Sequence, residues 1–409
     1  MPSGFEKMKS LVELRTFIVG KVSGLDTLAA LDLQGDYLEI VFHKRNTMVE
    51  ATRVNLKDKQ TLRLHFSKKS SDMGKCQILA PNLKELKSIG YSGERLPTWM
   101  LPNLVTVQIS NCRRCVQLPQ FSQLPFLKSL SLDVFEALEY IEEDGWGGDE
   151  ESCSATHFTA LEELNIDKMP KLKGWFSRPQ VKDDVHPQQA AMTSDAHQDF
   201  TSHRLLSLPR LSKLRIWHCP QFVVSMHLTL LPRLEYLHVI KIHEKTLESL
   251  LASHREAASS SFPSSSSPTL STLKKLIIWD VNIVSFSINF CNLQTLQIRD
   301  CEKLTSLIVV SPNSSIQQLS LWRLKNLRAL PEEIGHLSQL RDLAICHCTE
   351  LASLPQSFRG LSSLQSLRIE QCPHLKTRCQ KPDGEDWPLI QHIPDIDISS
   401  PWIQSFSCY

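Results

Sequence analysis

The chain has 409 residues, which at about 150 residues per domain gives a prior of two or three domains. Apolar residues make up 41% of it and charged residues 22%; 45 Lys and Arg nearly cancel 44 Asp and Glu. A net charge of +1 argues against a protein held mainly by phosphate backbones or anionic lipid. No run approaches 18 consecutive apolar residues, and residues 1–10 lack the apolar stretch of a secretory signal, so the sequence reads as intracellular and soluble.

One short pattern, Leu-x-x-Leu-x-Leu or a close variant, returns along the whole chain. Its first apolar position falls at Leu11, then, through two weaker units, at Gly35 and Lys59. It continues at Leu83, Leu104, Leu127, Leu161, Leu211, Leu234, Leu273, Leu293, Ile316, Leu340 and Leu364. Ten of the thirteen intervals lie between 20 and 24 residues, the period of a leucine-rich repeat. Each unit is a short strand followed by a turn and a return segment. One unit cannot bury its own leucines, so neighbours stack and share a core. Prolines ahead of the next strand (Pro81, Pro102, Pro125, Pro209, Pro232) keep the return segment from running on as helix. Pro331 to Gly335 reads as one or two helical turns on the convex side. The predicted fold is an α/β solenoid: a leucine-rich-repeat horseshoe with a parallel sheet on its concave face and short helical or irregular convex segments.

The three long intervals mark insertions at 142–156, 177–204 and 252–269, polar or Ser-rich stretches expected to be loops or disordered. The domain prior therefore falls to one array. Residues 1–70 hold its opening repeats, 71–380 the main array and 381–409 a closing segment.

Five of the twelve cysteines (Cys112, Cys219, Cys301, Cys348 and Cys372) stand at one offset after the strand pattern. A cysteine at one place in successive repeats is a ladder of buried thiols, since a thiol behaves as a small apolar side chain with a weak donor. Cys112-Arg-Arg-Cys115 and Cys346-His-Cys348 could be halves of a zinc site, but no matching second pair stands at a plausible distance, and no metal is expected.

Chemistry-bearing motifs fail one by one. Gly20-Lys21 and Gly74-Lys75 lack the preceding glycine of a phosphate-binding loop. His243-Glu244 has Leu247 where a zinc-protease helix needs its second histidine. Gly90-Tyr-Ser92-Gly93 lacks the spacing of a hydrolase nucleophile elbow. The sequence predicts neither enzyme nor cofactor.

What remains is surface. The position after the last inward residue of each strand should point away from the core, and in the C-terminal half it reads Trp217, Ile240, Trp279, Arg299, Trp322, Cys346 and Glu370. The next position reads His218, Lys241, Asp280, Asp300, Arg323, His347 and Gln371. Tryptophan and arginine are enriched in interface hot spots. The candidate partner-binding residues are Trp217, His218, Trp279, Asp280, Arg299, Asp300, Trp322, Arg323, His347 and Glu370; the competing reading is that the tryptophans pack on one another. Their mixed charge favours protein over nucleic acid as the partner.

Several segments resemble one family. Thr16–Gly20, Asn55–Lys59, Gly90-Tyr-Ser-Gly-Glu-Arg-Leu-Pro-Thr-Trp99, Asn111–Cys115, Leu124–Lys128 and Gly384-Glu-Asp-Trp-Pro-Leu-Ile390 are similar to the leucine-rich region of plant intracellular nucleotide-binding, leucine-rich-repeat disease-resistance proteins of the coiled-coil type. The resemblance implies an innate-immunity module that recognises pathogen effectors or guarded host proteins, or restrains a nucleotide-binding switch. It implies protein partners and a cytoplasmic or nuclear location. The nucleotide-binding module and coiled coil of that family are absent from the sequence. The alternatives are a substrate adaptor of a ubiquitin ligase, for which residues 1–30 are too short to supply an F-box-like segment, and a nonfunctional fragment.

Overall fold

A computed structural model describes residues 13–19, 24–29, 31, 33–42, 53–67, 77–96, 101–142, 156–176, 206–223, 231–251, 272–310 and 314–398. Fifteen parallel strands form one sheet whose spatial order is their chain order. They are β1 (Thr16–Val19), β2 (Tyr37–Phe42), β3 (Thr61–Phe66), β4 (Glu85–Ile89), β5 (Thr106–Ser110), β6 (Ser129–Asp133), β7 (Glu163–Asp167) and β8 (Lys213–Cys219). Then come β9 (Tyr236–Ile242), β10 (Lys275–Trp279), β11 (Thr295–Arg299), β12 (Gln318–Trp322), β13 (Asp342–Cys346), β14 (Ser366–Glu370) and β15 (Asp395–Asp397). The chain is a leucine-rich-repeat solenoid, as its period predicts.

Successive side chains of a strand point to opposite faces, so a six-residue pattern has two fully inward positions. Neighbouring strands align them: Leu214, Leu237, Leu276, Leu296, Leu319, Leu343 and Leu367 are register partners in sequence, and all are at most 2% exposed. Ile216, Val239, Ile278, Ile298, Leu321, Ile345 and Ile369 form the second column. A one-residue slip would turn both columns into solvent, which fixes the register. The first repeat carries such a slip relative to the expectation. Phe17 pairs with Ile40, which counts back to Val12 rather than Leu11 as the start of that unit.

From β4 to β14, each strand is closed by a residue with left-handed backbone. Gly90 (φ 79°) and Asn111 (57°) suit that region, yet Val134, Lys168, His218, Lys241, Asp280, Asp300, Arg323, His347 and Gln371 also adopt φ of 50–58°. The backbone explains why. The N–H at this position donates to the carbonyl ending the next strand: Asn111 to Asp133, Asp300 to Trp322, Arg323 to Cys346 and His347 to Glu370, at 2.8–2.9 Å. The left-handed turn thus extends the ladder by one bond while reversing the chain.

The residue after this turn points inward, and here the cysteine ladder stands. Cys112, Cys219, Cys301, Cys348 and Cys372 are at most 1% exposed. Each thiol donates to the carbonyl two residues earlier, at 3.5, 3.1, 3.4, 3.6 and 3.3 Å in turn. Elsewhere the position holds Tyr91, Phe135, Met169, Ile242, Val281 or Leu324, all buried.

The return segments carry more order than the sequence suggests. Besides single-turn 3-10 helices at Glu332–His336 and Gln356–Gly360 and the amphipathic helix Glu244–Leu251, they form short parallel strand pairs. Tyr140–Glu142 pairs with Gly174–Phe176, and Ser285–Ile288 with Ser306–Val309. Glu142, expected at the start of an exposed insertion, is 3% exposed and accepts the Ser122 N–H at 2.9 Å. Residues 143–155 of that insertion, and all of the other two, lie outside the described residues.

The motifs behind the family resemblance prove to be structural. Lys59 is 1% exposed, and its Nζ donates to the carbonyls of Leu33, Gln34 and Gly35 at 3.0, 2.7 and 2.6 Å. It ties the second and third repeats together. In the Gly90–Leu96 stretch, a Cβ on Gly90 would meet the Phe66 carbonyl oxygen at 2.6 Å, and one on Gly93 would strike the Tyr91 hydroxyl. Tyr91 is buried, donates to the Arg95 carbonyl at 2.9 Å and stacks edge-on against Phe66. Pro97–Trp99 lie outside the described residues. At the C-terminus Asp386, 2% exposed, accepts from Arg378 Nε (3.0 Å) and Nη2 (2.8 Å) and from the Leu354 N–H (3.0 Å). The closing segment is thereby bolted to the last full repeat.

Candidate functional site

Three rows of side chains line the open face of the sheet, the concave face of the expected horseshoe. They come from the strand positions that alternate with the inward leucines. The last of these rows runs Ile89, Ser110, Asp133, Asp167, Trp217, Ile240, Trp279, Arg299, Trp322, Cys346 and Glu370, each the register partner of the next. The column read from the sequence is therefore a physical row. Its expected outward exposure fails at two points. Ile240 is 8% exposed and Cys346 fully buried. Trp217, Trp279, Arg299, Trp322 and Glu370 are half-buried.

The tryptophans are joined laterally. The Arg299 guanidinium lies 5.1 Å from the Trp279 ring and 5.0 Å from the Trp322 ring, one cation between two π faces. Trp322 leans on His347 at 5.4 Å. Such contacts hold large rings in place without hiding them, so the row is a packed ridge and an accessible one together. Trp217 meets the His238 ring edge-on at 4.9 Å, and its Nε1 has no hydrogen-bond partner among the described residues.

The second predicted column departs from regular strand backbone, even where His218 and Lys241 still lie within β8 and β9. His218, Asp280, Asp300, Arg323 and His347 occupy the left-handed turns, where they form a lip beside the ridge. His218 Nδ1 is 2.8 Å from Asp167 Oδ1, and Arg323 lies 3.5 Å from Asp300. The structure thus brings Arg299, Asp300, Trp322, Arg323 and His347 into one neighbourhood, with Trp279 and Asp280 beside them. Trp217 and His218 sit two strands further on, across Ile240, and Glu370 lies at the opposite end.

Sequence reasoning missed the other two rows of the open face. Arg215, Tyr236, His238 and Lys275 belong to them. The Arg215 guanidinium lies 5.0 Å and the Lys275 ammonium 5.7 Å from the centre of the Tyr236 ring. Arg215 Nη1 donates to Asn165 Oδ1 at 3.0 Å, and the Tyr236 hydroxyl is 3.3 Å from His238 Nδ1. Burial, and then the charges of Arg215, Lys275 and Arg299, push the His238 pKa down to about 4, so its ring is neutral at pH 7. The signal was available: these residues stand two and four positions before the ridge, and strand alternation puts them on the same face. Further along, small residues such as Ser320 and Ala344 floor a shallow depression over β11–β14, rimmed by Gln297, Gln318, Asp342 and Arg368.

Among the described residues no three His, Cys, Asp or Glu side chains are grouped as metal ligands. Cys112, Cys115, Cys346 and Cys348 are buried free thiols. Gly20–Lys21 and Gly74–Cys76 lie outside the described residues. No described helix is long and apolar enough to cross a membrane.

Residues 25–135 match the family model of R13L1/DRL21 leucine-rich repeats. Two Solanum bulbocastanum proteins described as disease resistance proteins, RGA4 and RGA1, are each 29% identical to the chain, over 58% and 79% of its length. The chain spans about a quarter of their length, 22% and 27% respectively. Among solved structures, a leucine-rich-repeat protein of Leptospira interrogans, LIC12759, aligns over 94% of this chain and 93% of its own, with 16% identity and a TM-score of 0.39. The chain is a leucine-rich-repeat array whose relatives are plant disease resistance proteins.

Proposed function

We propose that the array is the protein-binding module of a plant innate-immune receptor, recognising a pathogen effector or a guarded host protein, or restraining a nucleotide-binding switch. It acts without enzymatic chemistry or cofactor, in the cytoplasm or nucleus. The observation that carries this reading is the aromatic–cationic ridge Trp279, Arg299 and Trp322, half exposed on a rigid parallel ladder, in a chain related to disease resistance proteins. Rigid aromatic anchors suit recognition because little conformational entropy is lost when they are covered.

The test separates ridge from core. A library of pathogen-secreted proteins is screened against the chain, and binders are titrated against Trp279→Ala, Trp322→Ala, Leu296→Ala and Leu343→Ala. Truncating a hot-spot residue costs about 2 kcal/mol, roughly thirtyfold in affinity, and the ridge variants should show that loss with little change in melting. The leucine variants should lose about 2–5 kcal/mol of stability through cavity formation. Ridge variants that melt like the leucine variants, or that bind every partner unchanged, would refute the assignment.

A further inference from the structure

Resting on the proposed binding role, the charge of the open face assigns a chemistry to the partner. We propose that β8–β10 bind an acidic segment of a partner protein. Its carboxylates sit between Arg215 and Lys275 above the Tyr236 ring, and its apolar side chains lie against Trp217 and Trp279.

Three observations lead there. First, Arg215 and Lys275 are drawn to one ring, at 5.0 and 5.7 Å from its centre, and among the described residues neither has an ion-pair partner. A cation–π contact offsets only part of the mutual repulsion of two cations over one ring. A carboxylate arriving between them would neutralise both and gain charge-assisted hydrogen bonds. Second, the surrounding open-face strand positions add positive charge and no negative charge, Asp280 and Asp300 standing in the turns beyond the ridge. No open-face position of β8, β9, β10 or β11 carries a carboxylate, whereas β6 and β7 place Asp133, Glu163 and Asp167 there. His238 adds no charge at neutral pH. Third, this positive window is short. Glu163 and Asp167 bound it on one side and Asp342 on the other, so a long polyanion following the groove would run into carboxylates. A few acidic residues fit between these limits, which favours a peptide over a nucleic acid. Partial burial of both cations keeps the attraction from being wholly screened, since the Debye length is about 8 Å at 0.15 M salt.

The experiment uses the full chain and three fluorescein-labelled probes. These are a 14-residue peptide with a central Asp/Glu run flanked by Leu and Phe, its Asn/Gln counterpart, and a 14-nucleotide single-stranded DNA. The acidic peptide should bind at least tenfold more tightly than the amide peptide and than the DNA. Raising NaCl from 50 to 300 mM should weaken it at least tenfold. R215Q/K275Q should lose at least tenfold, while K128Q/K274Q, an equal charge change at exposed pairs with Glu162 and Glu235, should lose less than twofold. Equal binding of the two peptides, insensitivity to salt, or equal loss in both double variants would overturn the inference; tighter binding of the DNA would make nucleic acid the occupant. The salt series is read on the unaltered chain, so it decides even if R215Q/K275Q fails to fold. If the peptide result fails while Trp279→Ala and Trp322→Ala still lose a protein partner, the acidic-segment inference falls and the proposed function stands. The reverse pattern overturns the ridge and keeps the acidic window.

Discussion

Raising the pH should unfold this array through its cysteines, and Cys219 gives a measurable case. Burial pushes the thiols of Cys112 and Cys219 up to about 12 and that of Cys301 to about 11. In the unfolded chain a thiol titrates near 8.5. The folded pKa is raised, so the stabilisation is complete below about pH 8.5 and is lost as pH climbs towards the folded value. Between pH 8 and pH 10 the unfolded Cys219 ionises almost fully while the folded one stays protonated, which costs about 2 kcal/mol. Cys219→Ala removes that contribution as well as some packing, so the informative quantity is the difference of differences. Guanidinium unfolding at pH 8 and pH 10, followed by tryptophan emission, should show the variant losing about 2 kcal/mol less than the parent over this interval. Trp217 is a suitable reporter, because its carbonyl accepts the Cys219 thiol at 3.1 Å. Parallel pH dependences in the two proteins would refute the reasoning.

Two further expectations rest on single contacts. Arg378→Met leaves the Asp386 carboxylate buried with only the Leu354 N–H, and should cost about 3 kcal/mol, the low end for a broken buried pair because Arg378 is itself partly exposed. Arg378→Met/Asp386→Asn should recover at least about 1 kcal/mol by removing the stranded charge, and a melting study in which the single variant is neutral would sink this account. Val134, a β-branched residue at φ 58°, is strained where Asn111 and Gly90 are at ease, so Val134→Asn should stabilise the array by about 1 kcal/mol, and a clear loss would contradict it.

Much of the fold is legible because one physical demand repeats. A Leu-x-x-Leu-x-Leu unit has to bury its inward side, and a period near 23 residues leaves stacking as the only way to do so. The ridge was legible for the same reason, since Trp217, Trp279, Arg299 and Trp322 stand at a fixed offset from those leucines. Three things were not. The left-handed turns carry no residue signature, because Val134 and Arg323 are held there at a cost as Gly90 is without one. The strand pairs of the return segments are set by contacts between repeats rather than by a local pattern, as Gly174–Phe176 against Tyr140–Glu142 illustrates. Finally, the cluster around Tyr236 joins residues from three strands, Arg215, His238 and Lys275 among them, that only the stacked register brings together.

The lip beside the ridge shows how such an array can vary its surface without endangering its core. At each of these positions the fold uses only the backbone: a left-handed φ and an N–H given to the next strand. Each residue other than Gly, Asn or Asp held there costs about 1–2 kcal/mol, and the extra ladder bond together with the buried side chain that follows offsets it. Because the fold requires no contact from the side chain of the turn residue and its strain can be offset, Asn, Val, Lys, His, Asp, Arg and Gln all occupy it. The inward neighbour is constrained in the opposite way, to thiols and apolar groups. Adjacent residues along the chain therefore answer to different demands, one to the core and one to whatever meets the open face. A partner can be matched by changing the lip and the ridge while the leucine columns stay fixed, a separation that follows from strand alternation and the turn geometry.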